Sequence, residues 1–181
     1  MSMKISKNNQ NKITAGLLAV YLFVLAWIIL FKMQFSIQDL HHFTNFRELN
    51  LIPFAGSVNK NGQIDVGEIF YNVLAFMPFG IYISMLKPSW SFLKKIVQIA
   101  GVSLLFEVLQ FSFAIGASDI TDLIGNTLGG MIGVGVYIVF CKLFRTKANI
   151  ILTTLALIGT ICVFAFVFLL IIGVIRFGNY G

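Results

Sequence analysis

The sequence predicts an all-α membrane bundle of about five transmembrane helices, with the N-terminus cytoplasmic and the C-terminus outside. Three observations lead there. Of 181 residues, 58% are hydrophobic and 11% are charged, against about a quarter charged in a soluble domain. The apolar residues gather into five runs, each near the roughly 20 residues that cover the hydrocarbon core of a bilayer. The basic residues sit mostly on one side of those runs.

The first run, 13–31, follows a segment at 1–12 that carries Lys4, Lys7 and Lys12. It is long for the core of a signal peptide, and the FKMQFS after it offers no small-x-small cleavage site, so it reads as a retained span. The second run, 69–86, is interrupted by Pro78 and Gly80, residues tolerated in membrane helices where neighbours re-satisfy the backbone. The third, fourth and fifth runs cover 96–115, 120–141 and 150–175. Lys4, Lys7, Lys12, Lys87, Lys94, Lys95, Lys142, Arg145 and Lys147 fall on one side, and only Lys32, Arg47, Lys60 and Arg176 on the other. The positive-inside rule places the first group in the cytoplasm. It also accounts for the formal net charge of +6 without nucleic acid as a partner.

The organisation is one membrane domain, 13–181, behind the short cytoplasmic segment. The long connection 32–68 holds Ile37, Leu40 and Phe43 at three-residue spacing, a short amphipathic helix at the outer surface. Pro53 and Gly56 mark a turn, and NKNG at 59–62 another. Cys141 and Cys162 lie in or beside apolar helices and read as packing residues. His41 and His42, near Asp39, have no further histidine to complete a metal cluster, so no cofactor is expected; a divalent cation enters only if the site is an enzyme.

Against this apolar background, the stretch FEVLQFSFAIGASDITDLIGNTLGG at 106–130 is unusual. Ser103, Glu107, Gln110 and Ala114 share one face of the third span. Glu107 sits about 12 Å along the helix from its outer end at about 1.5 Å per residue, so it must face the bundle interior, find a partner or carry a proton. Asp122, Asn126, Gly129 and Gly133 share a face of the fourth span, and Gly125, Gly129 and Gly133 form overlapping GxxxG steps that let another backbone approach, with the third span across a short turn as the nearest candidate. Asn72 lies early in the second span. Given the topology, Asn72, Glu107, Gln110, Asp119, Asp122 and Asn126 all belong to the outer half of the membrane.

Structural readings compete with functional ones. Asp119 suits the N-cap of the fourth span, with Asp122 three residues on as in a capping box, and both acids suit the positive end of the helix dipole. Glu107 and Gln110 can act as polar glue between helices. Pro53, Pro78, Gly80, Gly125, Gly129 and Gly133 are taken as shape-setting.

NLIPF at 50–54, NVLAFMPFG at 72–80, the Glu107-x-x-Gln110 pair and DITDLIGNTLGG at 119–130, in that order, resemble the VanZ-like family of bacterial membrane proteins over about residues 17 to 140. The family takes its name from a protein of glycopeptide-resistance clusters that confers resistance to teicoplanin. The resemblance implies a multi-pass protein of the bacterial plasma membrane, with Asn72, Pro78, Gly80, Glu107, Gln110, Asp119, Asp122, Asn126 and Gly129 at motif positions. Many relatives carry an arginine shortly before the first aspartate, whereas GAS at 116–118 has none. The helix at about 150–175 looks like an addition to the family core.

Three functions follow. In the favoured one, Asn72, Glu107, Gln110, Asp122 and Asn126 bind a lipid-linked envelope precursor or a lipidated glycopeptide and contribute to resistance. In the second, Glu107 is the general acid or base of an envelope-modifying enzyme, with Asp119 and Asp122 orienting substrate or holding a divalent ion. In the third, the glycine-rich face scaffolds a larger envelope complex. The expected partner is a membrane lipid or lipid-linked precursor, with a homo-oligomer or envelope complex left open. HExxH, GxSxG and Cys/His pairings are absent from the sequence, so any enzyme must use carboxylates.

Overall fold

A computed structural model describes residues 2–31, 46–55, 66–113 and 115–171. Five long helices carry it: α1 (Ser2–Phe31), α2 (Val66–Leu86), α3 (Phe92–Phe113), α4 (Ile120–Phe144) and α5 (Ala148–Ile171), with two short strands, β1 (Phe46–Asn50) and β2 (Ile115–Asp119). The amphipathic helix expected around Ile37–Phe43, the His41–His42 pair, the turn at 59–62 and residues 172–175 lie outside the described residues.

Helix α1 starts at Ser2 rather than at the first apolar residue. The polar segment before Ile13 contains no glycine or proline, and lysine and glutamine are good helix formers, so nothing stops the helix at the polarity boundary. Helix α2 runs through Pro78 without a break. The Tyr21 hydroxyl of α1 donates to the Ala75 carbonyl oxygen, in the turn where proline removes a backbone donor. A neighbouring helix thus supplies polar contact where the proline loosens the backbone.

Among the described residues, four stretches are long and apolar enough to cross a membrane: Asn8–Ile29, Val66–Leu86, Phe92–Phe113 and the 50-residue Ile120–Leu169. The last contains both α4 and α5, joined by a 3-10 turn at Arg145–Lys147. Arg145, at φ 48°, returns its N–H to the Cys141 carbonyl. The Tyr137 hydroxyl then donates to Asn149 Oδ1 at 3.1 Å. A straight helix would hold residues 12 apart about 18 Å from each other, so the chain folds back and α4 and α5 form a hairpin. The Thr14 and Thr153 hydroxyls, 3.2 Å apart, then join α5 to α1.

The core is small and aromatic. Phe76 is fully buried, edge-on to Phe79 and Phe106 at 6.1 and 6.2 Å between centroids, with Leu25, Ile83, Ile99 and Val134 closing around it. Outside the core the helices expose large apolar side chains, among them Phe23 at 73%, Leu105, Ile138 and Phe164. Contiguous apolar surface of this kind is rare on a water-soluble monomer and suits contact with lipid.

Two expectations are corrected. Residues 115–119 form neither the end of a helix nor a tight turn: they are β2, paired in parallel with β1 so that Phe46 faces Ile115 and Asn50 faces Asp119. The glycine face of α4 packs on α2, not on α3. A Cβ on Gly129 would overlap the Val73 carbonyl, one on Gly133 the Met77 carbonyl, and one on Gly80 the Gly130 carbonyl. Two glycine surfaces therefore interlock backbone to backbone, the geometry small-xxx-small faces permit. Because α2 already covers that face, it is not available for the scaffolding contact considered from the sequence.

Candidate functional site

Five separate segments bring polar groups to one end of the bundle. Asp119 is the N-cap of α4: its Oδ1 accepts from the Thr121 N–H at 2.7 Å, satisfying one of the donors a helix start leaves open. Its Oδ2 accepts from Asn50 Nδ2 at 2.9 Å. Its own N–H donates to Glu107 Oε2 at 3.0 Å. In a capping box that N–H goes to the residue three positions on; here Glu107 of a different helix takes the role.

Glu107 is held a second way, since the Ser118 hydroxyl donates to its backbone carbonyl at 2.8 Å. Both groups are buried, Glu107 at 7% exposure and Ser118 at 4%. The Asp119 N–H at the end of β2 thus orients the carboxylate, while Ser118 holds the backbone of Glu107. Charge-assisted bonds of this type are about twice as strong as neutral ones.

Asp122 lies in the first turn of α4, and its Oδ1 accepts from Asn72 Nδ2 of α2 at 2.7 Å. Gly125, on the same face, makes room for this pair: a Cβ there would lie 3.4 Å from the Asn72 Cβ. Both acids of α4 sit at its positive end, where the helix dipole favours negative charge. Asn50, Asn72, Asp119 and Asp122 are half-buried, more open than the buried Glu107.

The segment 50–55 folds over this cluster. Ala55 N–H donates to the Ile52 carbonyl at 3.2 Å, and Phe54 has φ 66°, so Pro53 and Phe54 occupy the central positions of a turn with type II character. The Phe54 N–H donates to Thr121 Oγ1 at 2.8 Å, pinning the turn to α4. Leu51, Ile52 and Phe54 are 67%, 69% and 42% exposed. An apolar lip thus borders the acid and amide groups.

The remaining expected residues lie elsewhere. Asn126 is 1% exposed and donates to the Ser103 hydroxyl at 2.9 Å, inside the α3–α4 contact and one turn of α3 deeper than Glu107. Gln110 donates to the Ile29 carbonyl at 3.0 Å, capping one of the carbonyls that the last turn of α1 leaves open. Among the described residues, Asn126 Oδ1 and Gln110 Oε1 have no hydrogen-bond partner. Ser103→Ala is expected to lower stability by about 1–3 kcal/mol, the cost of stranding a buried donor. Adding Asn126→Leu should restore most of it; thermal unfolding in detergent reads both.

Sequence reasoning missed Asn50, Ser118 and Thr121. Asn50 opens the NLIPF motif but bonds a residue 69 positions away, and only the β1–β2 pairing brings the two together. The stretch 116–118 pairs in register with residues 47–49, so the backbone of Arg47 lies beside Gly116. Asp119→Ala is expected to cost about 1 kcal/mol for the lost cap and about 1.5 kcal/mol more for the charged bond to Asn50, whereas Asp119→Asn keeps the cap and should lose only the second part. Unfolding midpoints of the two variants check this.

The fold and site define a helical protein whose helices have the length and apolarity of membrane spans and whose one end is closed by a hydrogen-bonded cluster of carboxylates and amides. Residues 18–145 match the family model VanZ/LLP1, and the chain is 42% identical over 125 residues to Protein VanZ of Enterococcus faecium, covering 69% of this chain and 73% of that protein. The chain belongs to the VanZ/LLP1 family. The match ends before α5. No solved structure matches the chain.

Proposed function

We propose that the protein is a multi-pass protein of the bacterial plasma membrane, with five spans, a cytoplasmic N-terminus and an external C-terminus. Its outward-facing polar cluster binds a lipid-linked envelope precursor or a lipidated glycopeptide, and through that contributes to teicoplanin-type resistance. The observation that carries this reading is the convergence of Asn50, Asn72, Glu107, Asp119 and Asp122, from five segments, at one end of the bundle. Scattered structural polar groups would have no reason to agree in depth.

The surroundings suit an amphipathic ligand. Asn72 and Asp122 present an amide and a carboxylate at the rim, able to hydrogen-bond hydroxyl, amide or amine groups. Beside them Leu51, Ile52 and Phe54 offer apolar contact for a lipid portion. Glu107 lies beneath, with its orientation set by the Asp119 N–H. Membership of the VanZ/LLP1 family supports the link to glycopeptide resistance.

The test is expression in a susceptible Gram-positive host. The wild-type protein is expected to raise the inhibitory concentration of teicoplanin over the empty vector and to leave that of vancomycin unchanged; equal effects on both drugs, or none on either, would refute the reading. Topology is read in parallel with cysteine-free protein carrying single cysteines at exposed positions. Ala55→Cys should label from outside and Ser89→Cys only after the membrane is opened.

A further inference from the structure

At the end of the bundle opposite the carboxylate cluster, residues 87–91 connect α2 to α3. Lys87 Nζ lies over the Trp90 ring, 5.5 Å from its centroid, within cation–π range. Trp90, Leu93, Lys94, Val97 and Gln98 line a trough of about 320 Å³. Leu93 and Val97 are 70% and 63% exposed. One turn further along the same face, Gly101 has no side chain, and a Cβ there would meet nothing within 4 Å. The trough therefore continues as an unfilled apolar strip along α3.

Charge decides what fits it. Among the described side chains, the basic residues Lys12, Lys87, Lys94, Lys95, Lys142, Arg145 and Lys147 all belong to this end, Lys95 being buried, while the acids Glu68, Glu107, Asp119 and Asp122 all belong to the other. A strip of exposed Leu and Val calls for hydrocarbon. Two lysines at its mouth call for an anion, and a tryptophan between them is the side chain favoured at headgroup depth. The geometry points to a binding site for one anionic phospholipid, its headgroup against Lys87 and Lys94 and an acyl chain along Leu93, Val97 and Gly101. A zwitterionic lipid offers the same chain without the net charge that the two lysines select.

Trp27 and Trp90 are the two tryptophans of the chain, so Trp27→Phe leaves Trp90 as the sole reporter. The full-length protein is reconstituted in phosphatidylcholine vesicles in which a fixed fraction of lipid is brominated in its chains, either as phosphatidylglycerol or as phosphatidylcholine. Brominated phosphatidylglycerol is expected to quench Trp90 more strongly, with a local enrichment of about fivefold for each lysine engaged, the size a basic residue contributes near an anionic surface. Lys87→Gln with Lys94→Gln should bring the two lipids level, and Lys87→Arg with Lys94→Arg should keep the preference. Equal quenching in the parent protein would overturn the proposal, as would a preference that survives the glutamine pair. If Lys142→Gln with Lys147→Gln abolishes the preference equally, diffuse surface charge explains it and the site is refuted.

Discussion

Gly129→Ala is expected to destabilise the protein by about 3 kcal/mol or more, the upper range for forcing extra volume into a closed contact, and to reduce its amount in the membrane accordingly. The added Cβ would overlap the Val73 carbonyl, which is backbone and cannot rotate away. To accommodate it, α2 and α4 must separate, and that loosens the Gly133–Met77 and Gly80–Gly130 approaches along the same seam. The Asn72–Asp122 bond spans the same two helices, so the polar cluster should loosen with them. Gly135→Ala is the control: a Cβ there meets nothing within 4 Å, and the better helix propensity of alanine, worth up to about 1 kcal/mol, should leave stability equal or slightly raised. Thermal unfolding in detergent compares the two. Equal behaviour would show that α2 and α4 do not meet through their glycines.

The second large effect is at Glu107, where two substitutions separate charge from structure. Glu107→Gln keeps an oxygen that can accept the Asp119 N–H and keeps the backbone carbonyl that Ser118 holds. Protein level should stay near wild type, while protection against teicoplanin should fall by about tenfold or more if the carboxylate makes a charged bond to ligand worth about 1.5–3 kcal/mol. Glu107→Ala removes the acceptor as well, and about 1.5–3 kcal/mol of stability should go with it. If Glu107→Gln retains full protection, the glutamate serves as polar glue between helices, as one reading of the sequence allows.

The parts of this architecture that were legible in the sequence are those that depend on local chemistry. Apolar runs of span length mark the helices because hydrocarbon excludes charge over that distance, and Asp119 followed by an apolar run marks a helix start because a short acceptor side chain is what the open N–H groups need. The common depth of Asn72, Glu107, Asp119 and Asp122 also follows from counting residues along helices that alternate in direction. What depends on distant pairing was not legible. GxxxG steps state that some backbone comes close, but α2 and α3 are equally apolar, and it is the complementary Gly80 that selects α2. Strands β1 and β2 have five residues each and no alternation of apolar and polar positions, so nothing local announces them. Without that pairing, Asn50 and Thr121 had no visible reason to join the site.

The most direct test of the central claim, that the outer carboxylate and amide cluster carries the function, is the teicoplanin susceptibility of a Gram-positive host expressing wild-type, Glu107→Gln or Asp122→Asn protein at matched membrane levels. The account predicts that wild type protects and both variants lose most of that protection, Asp122→Asn because the rim carboxylate paired with Asn72 is neutralised. Full protection by both variants would contradict it and move the function away from this cluster.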